Sequence, residues 1–520
     1  MTNLNICVDC GEDFFTEGEK LFYEQKKLKL PSKCSKCREK SKKNKRAIFE
    51  EISTKWNIEA KQEETSYFYN TTEAKELTDG NKYFVVGRKG TGKTAIAEYL
   101  SNSLHKSSYS EKLSFKNFPF NVLYALPNTK YTAPNQYITI WKYLIYSNIC
   151  KMMINNDAID PNIVSQLKKL YNTDTTKSLA RLVENWTATG FNLNILGNGV
   201  GVQRKINESI EMSWIDKCDI LEDLIREHLD LSAYYIIIDE LDEDYREFET
   251  DEIKQTYLQL LTSLFKAVQD VRAIFKDEHH NIFPIIFLRT DIYALLKDSD
   301  KNKWSSFKVN LDWSLSNIKN MLAHRISIAY GDTSKLTFEN TWAVLFSSDK
   351  VSMGNRQTKQ MDTFEYITRS TQLRPRDYIQ YLIECSKEVI DRNENKITPE
   401  IIKYVDDKFS DYLRDEITDE VHSVLPEIIE IFDLLSQLRK QTFSPSDFIK
   451  IFNEEHSNGN IVTKLKPENI LKLLFEFSII GNQPHKQSKT IFKYQNIGAR
   501  FNFRENIMIH RGLYKALQIF

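Results

Sequence analysis

The chain has 520 residues, 41% of them hydrophobic, with a net charge of −1 and seven cysteines. That length predicts roughly two to four domains at about 150 residues each, and the balanced charge excludes a protein that is basic throughout and coats nucleic acid. No apolar run approaches the ~18 residues of a membrane span, and no apolar leader opens the chain, so a cytoplasmic protein without a membrane partner is expected.

Residues 1–46 carry Cys7-x-x-Cys10 and Cys34-x-x-Cys37, separated by 23 residues. Four thiolates in two such knuckles close a tetrahedral shell, which predicts a zinc ribbon with Cys7, Cys10, Cys34 and Cys37 as Zn²⁺ ligands. Phe14, Phe15, Phe22 and Tyr23 supply a small core for the metal to staple. A redox C-x-x-C would need a βαβ neighbourhood, which this stretch lacks. The pattern resembles the small zinc-ribbon modules of bacterial proteins. Lys20–Arg46 holds twelve Lys/Arg against two Glu. Such a run either contacts nucleic-acid phosphate or is a solvated or protein-docking segment.

Residues 47–82 are expected to form a helical linker. Its Tyr67-Phe68-Tyr69 either covers a nucleotide base or packs into a core.

Residues 83–330 hold the strongest pattern. Gly87-Arg88-Lys89-Gly90-Thr91-Gly92-Lys93-Thr94 fits G-x-x-x-x-G-K-[ST], between the apolar run Tyr83–Val86 and the helical run Ala95–Leu100. Strand, glycine loop and helix together predict a phosphate loop. Its backbone N–H groups would face phosphate oxygens, Lys93 would reach the β- and γ-phosphates, and Thr94 would bind Mg²⁺. Asn121–Leu126 is taken as the second strand. Thr139–Ile154 and most of 155–230 should be helical, and the alternation around Gly197-Asn198-Gly199 predicts a hairpin over 191–202.

Tyr234-Tyr235-Ile236-Ile237-Ile238-Asp239-Glu240 matches a Walker B strand. Asp239 would hold Mg²⁺, and Glu240 would polarise the attacking water. The adjacent glutamate also points to the division of P-loop ATPases with an extra strand between the two motif strands. Pro284–Leu288 is read as the next buried strand in the chain, and in this division the strand that follows Walker B carries a sensor residue near the γ-phosphate, a place that Arg289 or Thr290 would take. Arg289 is either a phosphate sensor or one half of an ordinary ion pair. Phe307–Leu311 is read as a fifth strand. Arg325 is either an arginine finger for a neighbouring subunit or a plain helical arginine.

Residues 331–415 should form a helical lid. In Leu373-Arg374-Pro375-Arg376-Asp377, Arg374 and Arg376 either bridge the lid to the phosphates or pair structurally. Residues 416–520 combine helices near 421–438, 445–454 and 467–478 with β-type segments 490–495 and 500–503, which predicts a winged-helix-like domain. The expected fold is thus an α/β P-loop NTPase core, a parallel sheet flanked by helices, with three attached units.

These motifs together resemble a bacterial P-loop ATPase group related to the STAND NTPases and the origin-recognition-like AAA+ proteins. The resemblance implies binding and hydrolysis of ATP with Mg²⁺ by a conformational switch, with Glu240, Lys93 and Arg289 catalytic. Gly87–Ala95, Asp239, Arg374 and Arg376 would bind nucleotide. In STAND proteins a Met-His-Asp motif touches bound ADP, which makes His510 a candidate sensor, although Arg511 stands where the Asp would be. The resemblance further implies self-association, an effector or toxin partner, and a role in defence against phage. The alternative is a DNA-binding ATPase of initiator or transposition-helper type, using the basic ribbon or the winged helix.

Overall fold

The computed structural model describes residues 46–519, apart from 103–106, 117, 133–134, 172–178, 189–192, 194–211, 243–249, 278, 332–336, 354–355 and 485–488. The four expected zinc ligands therefore lie outside the described residues, as does the 191–202 hairpin except for Leu193.

Five strands form a parallel sheet: β1 (Phe84–Gly87), β2 (Ser108–Ser114), β3 (Ala233–Asp239), β4 (Ile282–Arg289) and β5 (Lys308–Asn310). Their order is β2-β3-β4-β1-β5. Strand β4 thus lies between the phosphate-loop strand and the Walker B strand, as expected. β1, β3 and β4 are continuous apolar runs because helices cover both their faces. Helices Lys93–Asn102, Ile138–Met153 and Asp251–Asp277 supply much of that cover. Phe265 is fully buried, with its ring 4.5 Å from that of Phe84 and 4.9 Å from that of Trp304.

The second strand is not where the sequence suggested. Asn121–Tyr124 is a short helical turn that buries only Leu123. Its place in the sheet goes to Ser108–Ser114, paired in parallel with Ala233–Asp239. β2 is an edge strand and buries only Leu113, so it needs no apolar run.

Most of the remaining buried hydrophobic residues gather in a second cluster, made of residues from Ile318 to Ile519 together with Ile48, Phe49, Ile52, Trp56 and Tyr67. Helices Leu315–Tyr330, Phe338–Leu345, Thr363–Thr368, Pro375–Asp391 and Pro399–Val421 form its first part, with a hairpin of β6 (Lys350–Met353) and β7 (Lys359–Asp362). Helices Ile428–Leu438, Pro445–Ser457 and Pro467–Glu476 form the second part. Proline opens four of these helices, at positions where a missing N–H costs nothing. Ser444 and Asp447 close a capping box at one start.

A small sheet completes the C-terminal part: β8 (Thr442–Phe443), β9 (Ile480–Gln483) and β10 (Asn506–Ile509), in the order β8-β10-β9. The expected strands at 490–495 and 500–503 are absent. Ile491 keeps a single bridge to Asn482, and the chain then turns where Gln495 and Asn496 donate to the Phe492 carbonyl.

The chain enters this second cluster before it enters the sheet. Residues 46–55 are helical and bury Ile48, Phe49 and Ile52 there, together with Trp56. Among the described residues, no helix is long and apolar enough to cross a membrane.

Candidate nucleotide site

A cavity of about 520 Å³ opens between the sheet and the second cluster. Its floor is the stretch from Lys89 to Thr94. Gly90 and Gly92 adopt φ of +79° and +96°, a region L side chains rarely enter. A Cβ on Gly90 would also meet the Arg376 side chain at 3.3 Å. The loop is therefore tight within itself and closely approached from outside.

Lys89, Gly90, Thr91, Gly92, Lys93, Thr94 and Ala95 line the cavity. The Lys93 ammonium donates to the carbonyls of Gly87 and Arg88, each at 3.0 Å. Burial lowers its pKa, an effect that the charge of Asp242 opposes. Thr91 is held by its hydroxyl on the Arg88 carbonyl at 2.8 Å, and Trp313 donates to the Thr91 carbonyl at 2.9 Å.

β3 delivers Asp239 and Glu240 to the same cavity. Asp239 is nearly inaccessible, and burial pushes its carboxyl up while Lys112 opposes the shift. Its Oδ2 accepts no hydrogen bond among the described residues and lies 3.4 Å from Lys112 Nζ. A buried carboxylate oxygen that accepts no hydrogen bond, on the cavity that Thr94 also lines, fits a hard cation. Among the described residues no cluster of three or more His, Cys, Asp or Glu could hold a metal alone, so such a cation would keep water or ligand oxygens in its shell. Glu240 has φ +61°. Its Oε2 accepts from Lys61 Nζ at 2.8 Å and from the Ser114 hydroxyl.

Arg289, at the end of β4, also lines the cavity. It forms a forked pair with Asp291 at 3.1 and 2.7 Å and approaches Asp242 at 3.5 Å. It also donates to the Glu420 carbonyl at 3.2 Å, so it links the sheet to helix Pro399–Val421. Burial alone would depress its pKa, but the surrounding acids hold it above its ordinary value. Thr290 begins the next helix.

The two lid arginines differ. Arg376 lines the cavity, pairs with Glu416 at 3.1 Å and Glu59 at 3.0 Å, and points its backbone N–H at the Gly90 carbonyl, 3.5 Å away. Arg374 is fully buried outside the lining, paired with Asp377 at 2.9 Å and Glu420 at 3.3 Å. Arg325 is no surface finger. It sits 4.6 Å from the centre of the Trp56 ring and forms a buried fork with Glu63, one arm at 2.9 Å.

Arg88 also turns away from the cavity. Its guanidinium donates to Gln372 Oε1 at 3.2 Å and to the Gln372 carbonyl at 2.8 Å, and lies 5.7 Å from the centre of the Tyr494 ring. Gln372 in turn donates to the Phe477 carbonyl at 3.2 Å. His510 is buried against Tyr494 and Phe492, with ring centres 5.6 and 5.2 Å away. It is not in the cavity lining. Arg88 and His510 therefore both meet the Tyr494 ring.

Residues 57–69 form another wall. Phe68 stacks on Tyr99 at 4.3 Å, and both line the cavity. Tyr67 is buried and donates to Glu51 at 2.6 Å. The aromatic triplet thus both packs and faces the site. Lys61, Lys112 and Ser114 were not anticipated. Lys112 and Ser114 lie on the strand whose position the sequence misjudged, and Lys61 sits in an unpatterned polar stretch.

A family model described as "FunZ-associated C-terminal helical domain" matches residues 316–418. Another, described as "Probable treble clef domain", matches residues 4–46, which hold the four paired cysteines. No curated protein sequence matches the chain. Among solved structures, the chain is similar to the Aeropyrum pernix ORC2 protein in ADPNP–ADP complexes, at 10% identity and TM-score 0.38, covering 86% of this chain and 89% of that one. The Aeropyrum pernix ORC1 protein in complex with DNA gives 11% identity and TM-score 0.31, covering 86% and 90%. Drosophila ORC bound to DNA gives 11% and 0.30, covering 97% and 100%. Scores this low carry no functional inference.

Burial, followed by the charge of Arg374, pushes His510 down to about 3, whereas the unfolded side chain titrates near 6.5. The folded protein therefore keeps the ring neutral, and the unfolded chain binds the extra proton below pH 6.5. The stability held by this group is complete above that value and is lost as pH falls toward 3. Denaturant unfolding should show a loss of about 2 kcal/mol between pH 7 and pH 5 that His510→Gln removes. An unchanged pH slope in the variant would exclude this origin.

Proposed function

We propose that the chain binds ATP with Mg²⁺ at the phosphate loop, hydrolyses it, and uses the γ-phosphate to set the contact between sheet and lid. One observation carries this reading: Lys93, Asp239 and Glu240 face one cavity whose far wall includes Arg376 of the lid. Lys93 would exchange its two carbonyl acceptors for phosphate oxygens. Thr94 and Asp239 would hold Mg²⁺, which supplies charge neutralisation for phosphoryl transfer. Glu240 would take a proton from the attacking water as the phosphoryl group leaves ADP for that water. Arg289 or Arg376 would trade a carboxylate for the γ-phosphate while it is present. Such an exchange changes contacts in one nucleotide state only, which is what a population shift requires.

The four thiolates of Cys7, Cys10, Cys34 and Cys37 are proposed to bind Zn²⁺, supported by the treble-clef match over 4–46. Units at 1–46, 47–82, 83–330, 331–415 and 416–520 remain the proposed division into ribbon, linker, core, lid and winged-helix-like domain. Self-association and an effector or toxin partner belong to the same proposal. So does its setting, anti-phage defence in the bacterial cytoplasm, which rests on the motif resemblance.

A second reading, a DNA-binding ATPase, draws on the C-terminal part. There Lys464, Lys466, Lys472, Arg500 and Arg504 are exposed, with Lys472 5.8 Å from the centre of the Phe503 ring. Phosphate contacts by such residues would make affinity fall steeply with salt.

In phosphate-release assays, Glu240→Gln should lose about 100-fold or more in turnover while nucleotide binding is retained. Equal release by mutant and wild type would remove Glu240 from the mechanism. Mass photometry and limited proteolysis with ADP and with a slowly hydrolysed ATP analogue should differ, and identical patterns would end the switch reading. For the second reading, the expected outcome is duplex binding at low salt that weakens between 50 and 200 mM, by an amount on the order of 10³-fold for several phosphate contacts. Absence of binding at low salt would eliminate it.

A further inference from the structure

Residues 57–69 cross the mouth of the nucleotide cavity between two anchors on the second cluster. Before Lys61, Glu59 pairs with Arg376 at 3.0 Å. After it, Glu63 forks onto the buried Arg325 and accepts from the Asn57 backbone. Between the anchors, Ala60–Gln62 makes one tight helical turn. That turn aims Lys61 across the cavity at Glu240, 2.8 Å away. The same Glu240 oxygen accepts from the Ser114 hydroxyl. The Glu240 backbone is in the left-handed region, an uncommon conformation for a residue with a side chain. Such an outlier is held by its surroundings and points to a functional constraint.

A general base needs a free oxygen within about 2.6–3.2 Å of the water it deprotonates. Here one Glu240 oxygen is occupied by two donors, and one of these is a cation. We propose that Lys61 is a positioning residue that holds Glu240 in a resting pose and restrains hydrolysis until the strap at 57–69 shifts. The proposal rests on the reading of Glu240 as the base. The strap has its own handle for release. Glu59 shares Arg376 with Glu416, and Arg376 touches Gly90 of the phosphate loop. A lid movement that takes Arg376 with it would pull on Glu59 and so on Lys61. The same strap follows directly from the helix at 46–55, so whatever engages residues 4–46 is connected through about fifteen residues of chain to the hydrolytic carboxylate.

The test uses the full chain at saturating ATP, with phosphate release and binding of a fluorescent ATP analogue measured separately. Lys61→Ala should raise kcat about fivefold, the scale of one half-exposed ion pair, with nucleotide affinity unchanged. Lys61→Arg, which keeps the charge, should stay near wild type. Lys61→Ala combined with Glu240→Gln should be no faster than Glu240→Gln alone, so that the gain is shown to pass through Glu240. Lys61 is more than a third exposed, and thermal melting of both Lys61 variants should match wild type. Unchanged or lower kcat in Lys61→Ala with nucleotide still bound overturns the restraint alone. Bound nucleotide with no turnover in wild type or any variant overturns the hydrolytic reading, and the restraint with it.

Discussion

The seam between the sheet and the second cluster is held by charge. Arg88, Arg289, Arg374 and Arg376 converge there on Asp377, Glu416, Glu420, Asp242 and Asp291. Burying such groups is costly unless each finds a partner, and removing one partner strands the other. The seam therefore depends on each of these charges keeping its partner. Two large hydrophobic clusters meet across it, and Val424 is a residue that touches both. An interface of this kind can be rearranged by any ligand that brings its own negative charge, because the arginines then exchange one acceptor for another.

Much of the sheet was legible because buried parallel strands advertise themselves. Tyr234–Ile238 and Pro284–Leu288 are unbroken apolar runs ending in polar residues, and both are strands. The phosphate loop was legible because its backbone demands glycine at Gly90 and Gly92. β2 was not, since Ser108–Ser114 pairs along one edge and buries a single leucine. With β2 misplaced, Lys112 and Ser114 were invisible at the site, although they sit at 3.4 Å from Asp239 and in contact with Glu240. The arginines were found by their positions near motif ends. Their partners were not, because Asp377, Glu416 and Glu420 become meaningful only once helix Pro399–Val421 lies against the loop.

Arg88 shows how a motif position can do more than its pattern states. The pattern leaves this position open, and an arginine there reaches out of the loop to Gln372 and the Tyr494 ring. Tyr494 donates its backbone N–H to the Ser478 hydroxyl and packs on His510. The C-terminal part thus meets the phosphate-loop residue Arg88 at the Tyr494 ring. A histidine in contact with nucleotide was the expectation; His510 packs on Tyr494 and is not among the residues lining the cavity.

The connection at 312–317 has a mechanical consequence. Leu311 belongs to the first cluster and Ile318 to the second, so six residues span the two bodies there. Fully stretched, seven Cα steps reach only about 25 Å. Trp313, within that span, is pinned to the Thr91 carbonyl at 2.9 Å. The short tether sits beside the cavity floor, and together with the earlier crossing from Tyr67 of the second cluster to Ala74 of the first it limits how far the two bodies could separate.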